Sequence, residues 1–156
     1  MERLFIDKTV FKRRLPPVVH NQWSTVLMNV LLIEEHDSIR DDLATELQKA
    51  GYTVTAFASA DRVETPGFNL QDYQAVITDV DAPLMNGMVV SRAIAQEHKP
   101  IPCLMHSWNR TVETITGTVN LPAIAKLHDW LHYHERGVGR VGYIWNFLDM
   151  VERSHL

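Results

Sequence analysis

Two apolar runs in this chain end on acids: Val30-Leu31-Leu32-Ile33 runs into Glu34-Glu35, and Ala75-Val76-Ile77-Thr78 runs into Asp79. If the runs are neighbouring strands, their carboxylates converge into a hard oxygen site for a magnesium ion, which keeps several waters and takes only one or two protein carboxylates. Such an ion would neutralise a phosphoryl group arriving at a carboxylate oxygen and stabilise charge during in-line transfer. Ser107, just past a third apolar run from Ile101 to Met105, could donate a hydrogen bond to that group. The plainer meaning is that acids simply solvate strand ends. A second cluster, His128, His132 and His134, offers three imidazoles, and His128 with His132 on a helix, or His132 with His134 on a strand, would share a face. No cysteine joins them, and exposed or hydrogen-bonded histidines are commoner than zinc ligands.

The elements that must position these groups alternate between strand and helix. Val30 to Ile33 has the unbroken apolar character of a parallel strand buried on both faces. Asp37 or Ser38 can cap the next helix, Ile39, Leu43 and Leu47 share one of its faces, and Gly51 is placed to end it. Tyr52 to Phe57 alternates as a second strand, and Pro66-Gly67 makes the following helix short or irregular. Ala75 to Thr78 is the third strand, Val89 to His98 the next helix, and Ile101 to Met105 the fourth strand. This order implies a parallel sheet with helices on both faces, and such sheets bind ligands beyond the carboxyl ends of their strands. Glu34, Glu35, Asp79 and Ser107 all fall there.

The last third is less regular. A Thr-rich loop is expected from Asn109 to Val119, followed by a helix capped by Asn120, with Pro122 in its first turn, through about Asp129. Leu131 to Glu135 makes a fifth strand, with Val141 to Ile144 as the competing choice. Gly137-Val138-Gly139 turns the chain, and Ile144, Phe147, Leu148 and Val151 line one side of a terminal helix. Trp130, Tyr133, Trp145 and Phe147 suit a core or an interface.

Composition limits what the chain can be. Its 156 residues, 46% hydrophobic, suit one domain with its own core. The net charge is −4 and its fifteen Lys and Arg are scattered, so no basic face for nucleic acid is evident. The lone cysteine, Cys103, has no partner for an internal disulfide, in keeping with a reducing cytosol. No unbroken apolar stretch of about 18 residues is present, and no signal-peptide pattern opens the chain, so a cytoplasmic protein without a membrane anchor is expected. Residues 1–27 stand apart as an N-terminal arm: Lys12-Arg13-Arg14 precedes Pro16-Pro17, and any helix there should stop by Leu15. Met28 opens the compact domain. The short stretch after residue 140 is enough for one helix, so output through protein contact is expected, with Trp108 to Arg140 as the candidate surface.

Val30 to Glu35 followed by His36-Asp37-Ser38-Ile39-Arg40, together with Ile77-Thr78-Asp79-Val80-Asp81-Ala82-Pro83-Leu84-Met85-Asn86-Gly87, resembles a response-regulator receiver domain over about residues 29 to 108. The resemblance implies a doubly wound α/β fold, a flavodoxin-like five-stranded parallel sheet, over residues 28–156. It implies that Asp79 accepts a phosphoryl group from a histidine kinase, a phosphotransfer protein or a small phosphodonor, with Mg2+ bound. Glu34 and Glu35 would then hold the metal directly or through water, Asp79 would be both ligand and nucleophile, Asp81 would lend a backbone carbonyl, and Ser107 would be the switch hydroxyl. Output would pass to a downstream protein or a second copy of the chain, with no nucleic acid or membrane partner. The sequence also departs from the family. Glu35 is one methylene longer than the usual aspartate, and no lysine ends the fifth strand, where His134 or Arg136 lies nearest the vacant place. Tyr133 and Tyr143 compete for the aromatic switch position. Two rivals follow: a degenerate receiver that signals without phosphate, and a phosphatase of the haloacid-dehalogenase type, whose aspartate pair Asp79-Val80-Asp81 resembles.

Overall fold

Every apolar run that ends on an acid becomes a strand of one sheet. The computed structural model describes residues 28–81, 83–137 and 142–155. Its strands are β1 (Asn29–Ile33), β2 (Thr53–Phe57), β3 (Ala75–Asp79), β4 (Cys103–Ser107), β5 (Thr111–Thr114), β6 (Gly117–Asn120) and β7 (Leu131–Glu135). Its helices are α1 (Asp37–Lys49), α2 (Asn86–Ala95), α3 (Leu121–Ala125) and α4 (Gly142–Ser154). Five strands form a parallel sheet in the order β2-β1-β3-β4-β7, while β5 and β6 form a separate antiparallel hairpin.

The sheet is covered on both faces, which is why its central strands are apolar at consecutive positions. Val30, Leu32, Ile77 and Leu104 pack with Ile39, Leu43 and Leu47 of α1 and with Ile144, Phe147, Leu148 and Val151 of α4. Leu31, Ile33, Val76 and Met105 face the other way, onto Val90 and Ile94 of α2 and onto Leu121. The resulting three-layer α/β domain is the fold expected from the sequence, and Leu131–Glu135 is its fifth strand. The competing strand is excluded, because Gly142 to Ile144 opens α4.

Several boundaries differ from the sequence reading, each for a local reason. His36 rather than Asp37 or Ser38 is the N-cap of α1, and it makes no side-chain cap bond. The short or irregular helix expected between β2 and β3 takes the form of two 3-10 turns, Ala60–Glu64 and Leu70–Asp72. Helix α2 starts three residues before Val89, because Met85 adopts a left-handed conformation (φ 52) that turns the chain into it. It ends at Ala95, one residue after its last buried side chain, Ile94. Strand β4 runs two residues beyond Met105 because His106 and Ser107, polar but fully buried, continue it.

The Thr-rich stretch is the hairpin β5–β6, not a loop; β-branched residues favour the extended strand, and Gly117 (φ 129) accommodates the tight turn after Ile115-Thr116. Helix α3 is capped as expected, the Asn120 side chain accepting from Ala123 N at 3.0 Å, but it stops at Ala125 instead of Asp129. Leu127, which would have continued it, is 72% exposed, so another turn would gain little apolar burial. The expectations for residues 1–27 and for Val138-Gly139 lie outside the described residues.

Candidate functional site

Parallel pairing of β1 with β3 places Ile33 opposite Thr78, so Glu34, the first residue past β1, and Asp79, the last of β3, meet at the carboxyl edge of the sheet. Both are buried. Asp79 is held from two sides: Oδ2 accepts from Glu35 N at 2.8 Å and Oδ1 accepts from Asn86 Nδ2 at 2.9 Å. Asn86 is itself fixed, donating to Ala58 O at 3.0 Å and accepting from Ala60 N at 2.9 Å. Burial pushes the Asp79 carboxyl up to about 7, helped by the negative charge of Glu34 and opposed by the Glu35 and Asn86 hydrogen bonds and the Arg136 guanidinium.

Glu34 is gripped by two neighbours. Its Oε1 accepts from His36 N at 3.2 Å and lies 3.0 Å from His36 Nδ1. Its Oε2 is paired with Arg136 Nη2. Arg136 follows β7 directly, anchored by a 2.7 Å bond from its backbone N–H to Ser107 O. Its guanidinium carbon lies 5.7 Å from the Trp108 ring centre, and its Nε and Nη1 are buried with no hydrogen-bond partner among the described residues.

His106 of β4 completes this network. Burial, assisted by Arg136 and His134, pushes its pKa well down, so the ring is neutral. Arg136 Nη2 lies 2.9 Å from Nε2, and a guanidinium can only donate, so Nε2 accepts and the ring proton sits on Nδ1. Nδ1–H therefore donates to Tyr143 Oη at 3.1 Å. The 3.8 Å approach of Nε2 to Glu34 Oε2 is accordingly not an ion pair.

Of the residues singled out in the sequence, Glu34 and Asp79 come together, and Glu35 reaches Asp79 through its backbone N–H. Ser107 Oγ donates to Asp81 Oδ1 at 2.5 Å and accepts from Asn109 N at 3.1 Å. Asp81 Oδ2 is buried with no partner among the described residues. Of the two basic residues at the end of β7, Arg136 pairs with Glu34, while His134 stacks on Tyr143. Of the two tyrosines, Tyr133 donates to Asn109 O at 3.0 Å, near the end of β4, while Tyr143 meets His106 in the interior.

The three distal histidines disperse: His128 stacks on Trp130, His132 tilts against Phe147, and His134 stacks on Tyr143. Sequence reasoning passed over His36, Asn86 and His106. The available signals were a histidine directly after two acids, an asparagine before the glycine that opens a helix, and an imidazole interrupting a buried strand.

Among the described residues, the acidic and histidine side chains placed to share an ion are Glu34, His36 and Asp79, whose ligand atoms all lie within 4.8 Å of one another. Two buried carboxylates at this spacing fit a divalent cation, and the Glu34–Asp79 repulsion that raises Asp79 is what such an ion would relieve.

The chain also matches a known family. The profile described as response regulator receiver domain matches residues 30–127, well over half of the chain. The chain belongs to that family of signalling modules. No curated protein matches it. Solved structures that share its fold include the non-phosphorylated HemR receiver domain from Leptospira biflexa (15% identity, TM-score 0.63, covering 80% of this chain and 94% of that one). The chemotaxis response regulator CheY4 of Vibrio cholerae gives 21% identity and a TM-score of 0.60 over 81% of this chain and 99% of its own. The BeF3-activated receiver domain of Klebsiella pneumoniae RstA gives 15% and 0.59 over 80% and 98%. At these identities the likeness establishes the fold. No helix among the described residues is long and apolar enough to cross a membrane.

Proposed function

We propose that the chain is a phosphorylatable receiver switch in which Asp79 accepts the phosphoryl group. The observation that carries this reading is the fixed presentation of Asp79: both carboxylate oxygens are oriented at the end of a central strand, beside a guanidinium with buried, unpartnered N–H groups. One Asp79 oxygen attacks phosphorus, forming the acyl-phosphate O–P bond as the bond from phosphorus to the donor's oxygen or imidazole nitrogen breaks. Nucleophilic attack needs the ionised carboxylate. The hydrogen bonds from Glu35 N and Asn86 Nδ2 favour that form and hold the oxygens in line. Arg136 is placed to take up charge on the phosphoryl oxygens, and a guanidinium suits bidentate contact with them.

Mg2+ is the cofactor in this reading, held by Glu34, Asp79 and the Asp81 carbonyl, with Glu35 acting through water, and it would neutralise charge on the group in transfer. Ser107 serves as the switch hydroxyl by leaving Asp81 for the phosphoryl oxygen. The donor is a histidine kinase or phosphotransfer protein in the cytoplasm, and the output is contact with a downstream protein or a second copy. Incubation with acetyl phosphate and Mg2+ should add the mass of one phosphoryl group to wild type and none to Asp79→Asn. A wild-type chain that gains none would point instead to contacts made without phosphate.

A further inference from the structure

We infer that His36 Nδ1 is a third protein ligand beside Glu34 and Asp79, and that the pocket takes a first-row transition ion such as Mn2+ or Ni2+ in preference to Mg2+. The inference rests on the reading that this pocket holds a divalent cation, and it adds the ligand that sets which one. The chain builds the arrangement locally. After β1 it doubles back at Glu35, so that His36 N and His36 Nδ1 both face Glu34 Oε1, at 3.2 and 3.0 Å. Imidazole nitrogen and carboxylate oxygen thus stand side by side, and Asp79 closes the third side within 4.8 Å. Ligands about 2.1 Å from a common ion stand about 3.0 Å (cis) to 4.2 Å (trans) apart, so closure requires side-chain movement of about 0.6 to 1.8 Å.

Two further observations point to a ligand here. Arg136 is 3% exposed, yet its Nε and Nη1 have no partner among the described residues; as donors they call for an oxygen-bearing guest, water or phosphoryl, of the kind an ion in the pocket would share. The second is position. His36 caps α1 without a side-chain bond to the helix, so capping does not account for where its ring points. It retains 29% side-chain exposure, which leaves a path for an ion from solvent.

Ligand chemistry then decides the metal. Mg2+ prefers oxygen donors in strict octahedral geometry and sheds water reluctantly. Imidazole suits Mn2+, Co2+, Ni2+ and Zn2+, with affinity rising along that row toward copper. A mere hydrogen bond from His36 to Glu34 would leave an all-oxygen site with no nitrogen on the ion.

The test is calorimetric titration of the full chain with MgCl2, MnCl2 and NiCl2, for wild type and His36→Gln, with pulsed electron paramagnetic resonance of the Mn2+ complex. The expected result is at least tenfold tighter Mn2+ and Ni2+ than Mg2+. His36→Gln should narrow that preference and abolish the nitrogen coupling to bound Mn2+, separating His36 from the seven other histidines. Equal affinities for Mg2+ and Mn2+, or nitrogen coupling absent from wild type or unchanged in His36→Gln, would overturn the assignment. The wild-type spectrum decides even if the variant misfolds. If wild type also gains phosphate on Asp79 in Mg2+ while showing equal affinities, the imidazole ligand is refuted and the phosphoacceptor reading stands.

Discussion

Arg136 and Glu34 form an ion pair in which both side chains are fully buried. Two charges out of water are tolerated only because each offsets the other, and removal of one partner strands the other at a cost of about 3–5 kcal/mol. Arg136→Met should therefore lower the unfolding free energy by that amount in urea titrations. The double variant Glu34→Gln with Arg136→Met should recover most of the loss. If the double variant is as unstable as the single one, the pair is not what holds these side chains in place.

Asp79 makes stability depend on pH with a defined sign. Its carboxyl is raised from 3.8 to about 7, chiefly by burial, so between those values the folded chain keeps a proton that the unfolded chain has lost. The contribution is complete below about 3.8 and is lost as pH rises through about 7. Asp79→Asn adds a constant offset from its altered hydrogen bonding but cannot titrate. Across that window the stability of wild type relative to the variant should fall with pH, by no more than about 1.4 kcal/mol per unit. Denaturant midpoints at a series of pH values read this directly, and a flat difference would contradict it.

Gly87 sits where α2 passes against the end of β3. A Cβ there would lie 2.6 Å from Val80 Cγ2 and 3.0 Å from the Asp79 carbonyl oxygen. Alanine is favoured over glycine inside a helix by about 1 kcal/mol, but overpacking costs about 1–3 kcal/mol. Because the clash involves backbone, the steric cost wins. Gly87→Ala should destabilise in thermal unfolding and should displace the Asp79 carboxyl resonance; a stabilised variant would mean that α2 stands further from the sheet.

The sheet and the acid pocket were legible because their signals are local: apolar runs ending on Glu34 and Asp79, and glycine and proline at fixed offsets after Asp79. The resemblance therefore reached the site through residues 29 to 108 and weakened beyond it. The hairpin β5–β6 was missed because Thr111 to Thr118 is polar enough to pass for a loop, and its one buried side chain before the turn, Val112, gives no period to count. His106 was missed because its role depends on partners 30 and 37 residues away, Arg136 and Tyr143, which no local pattern links to it. Arg136 could be named only as a neighbour of a vacant place. Its pairing with Glu34 spans 102 residues.

The chain of contacts Glu34–Arg136–His106–Tyr143 leads from the acid pocket to α4, and its middle member is the residue least suited to a buried strand. An apolar side chain at position 106 would continue the buried strand without desolvating an imidazole, so what His106 adds there is its two hydrogen bonds. His106→Val keeps the strand propensity but leaves Tyr143 Oη and Arg136 Nη2 each short of a partner; an unsatisfied buried group costs about 1–3 kcal/mol. Tyr143→Phe removes only the Nδ1–H acceptor and should cost less. If His106 transmits strain between its neighbours, a double-mutant cycle of Tyr143→Phe with Arg136→Met should show about 0.5–3 kcal/mol of coupling, although the two side chains meet through the histidine. The same cycle in the His106→Val background should lose that coupling. Additive effects of Tyr143→Phe and Arg136→Met with His106 present would show that the imidazole merely fills space between two independent groups.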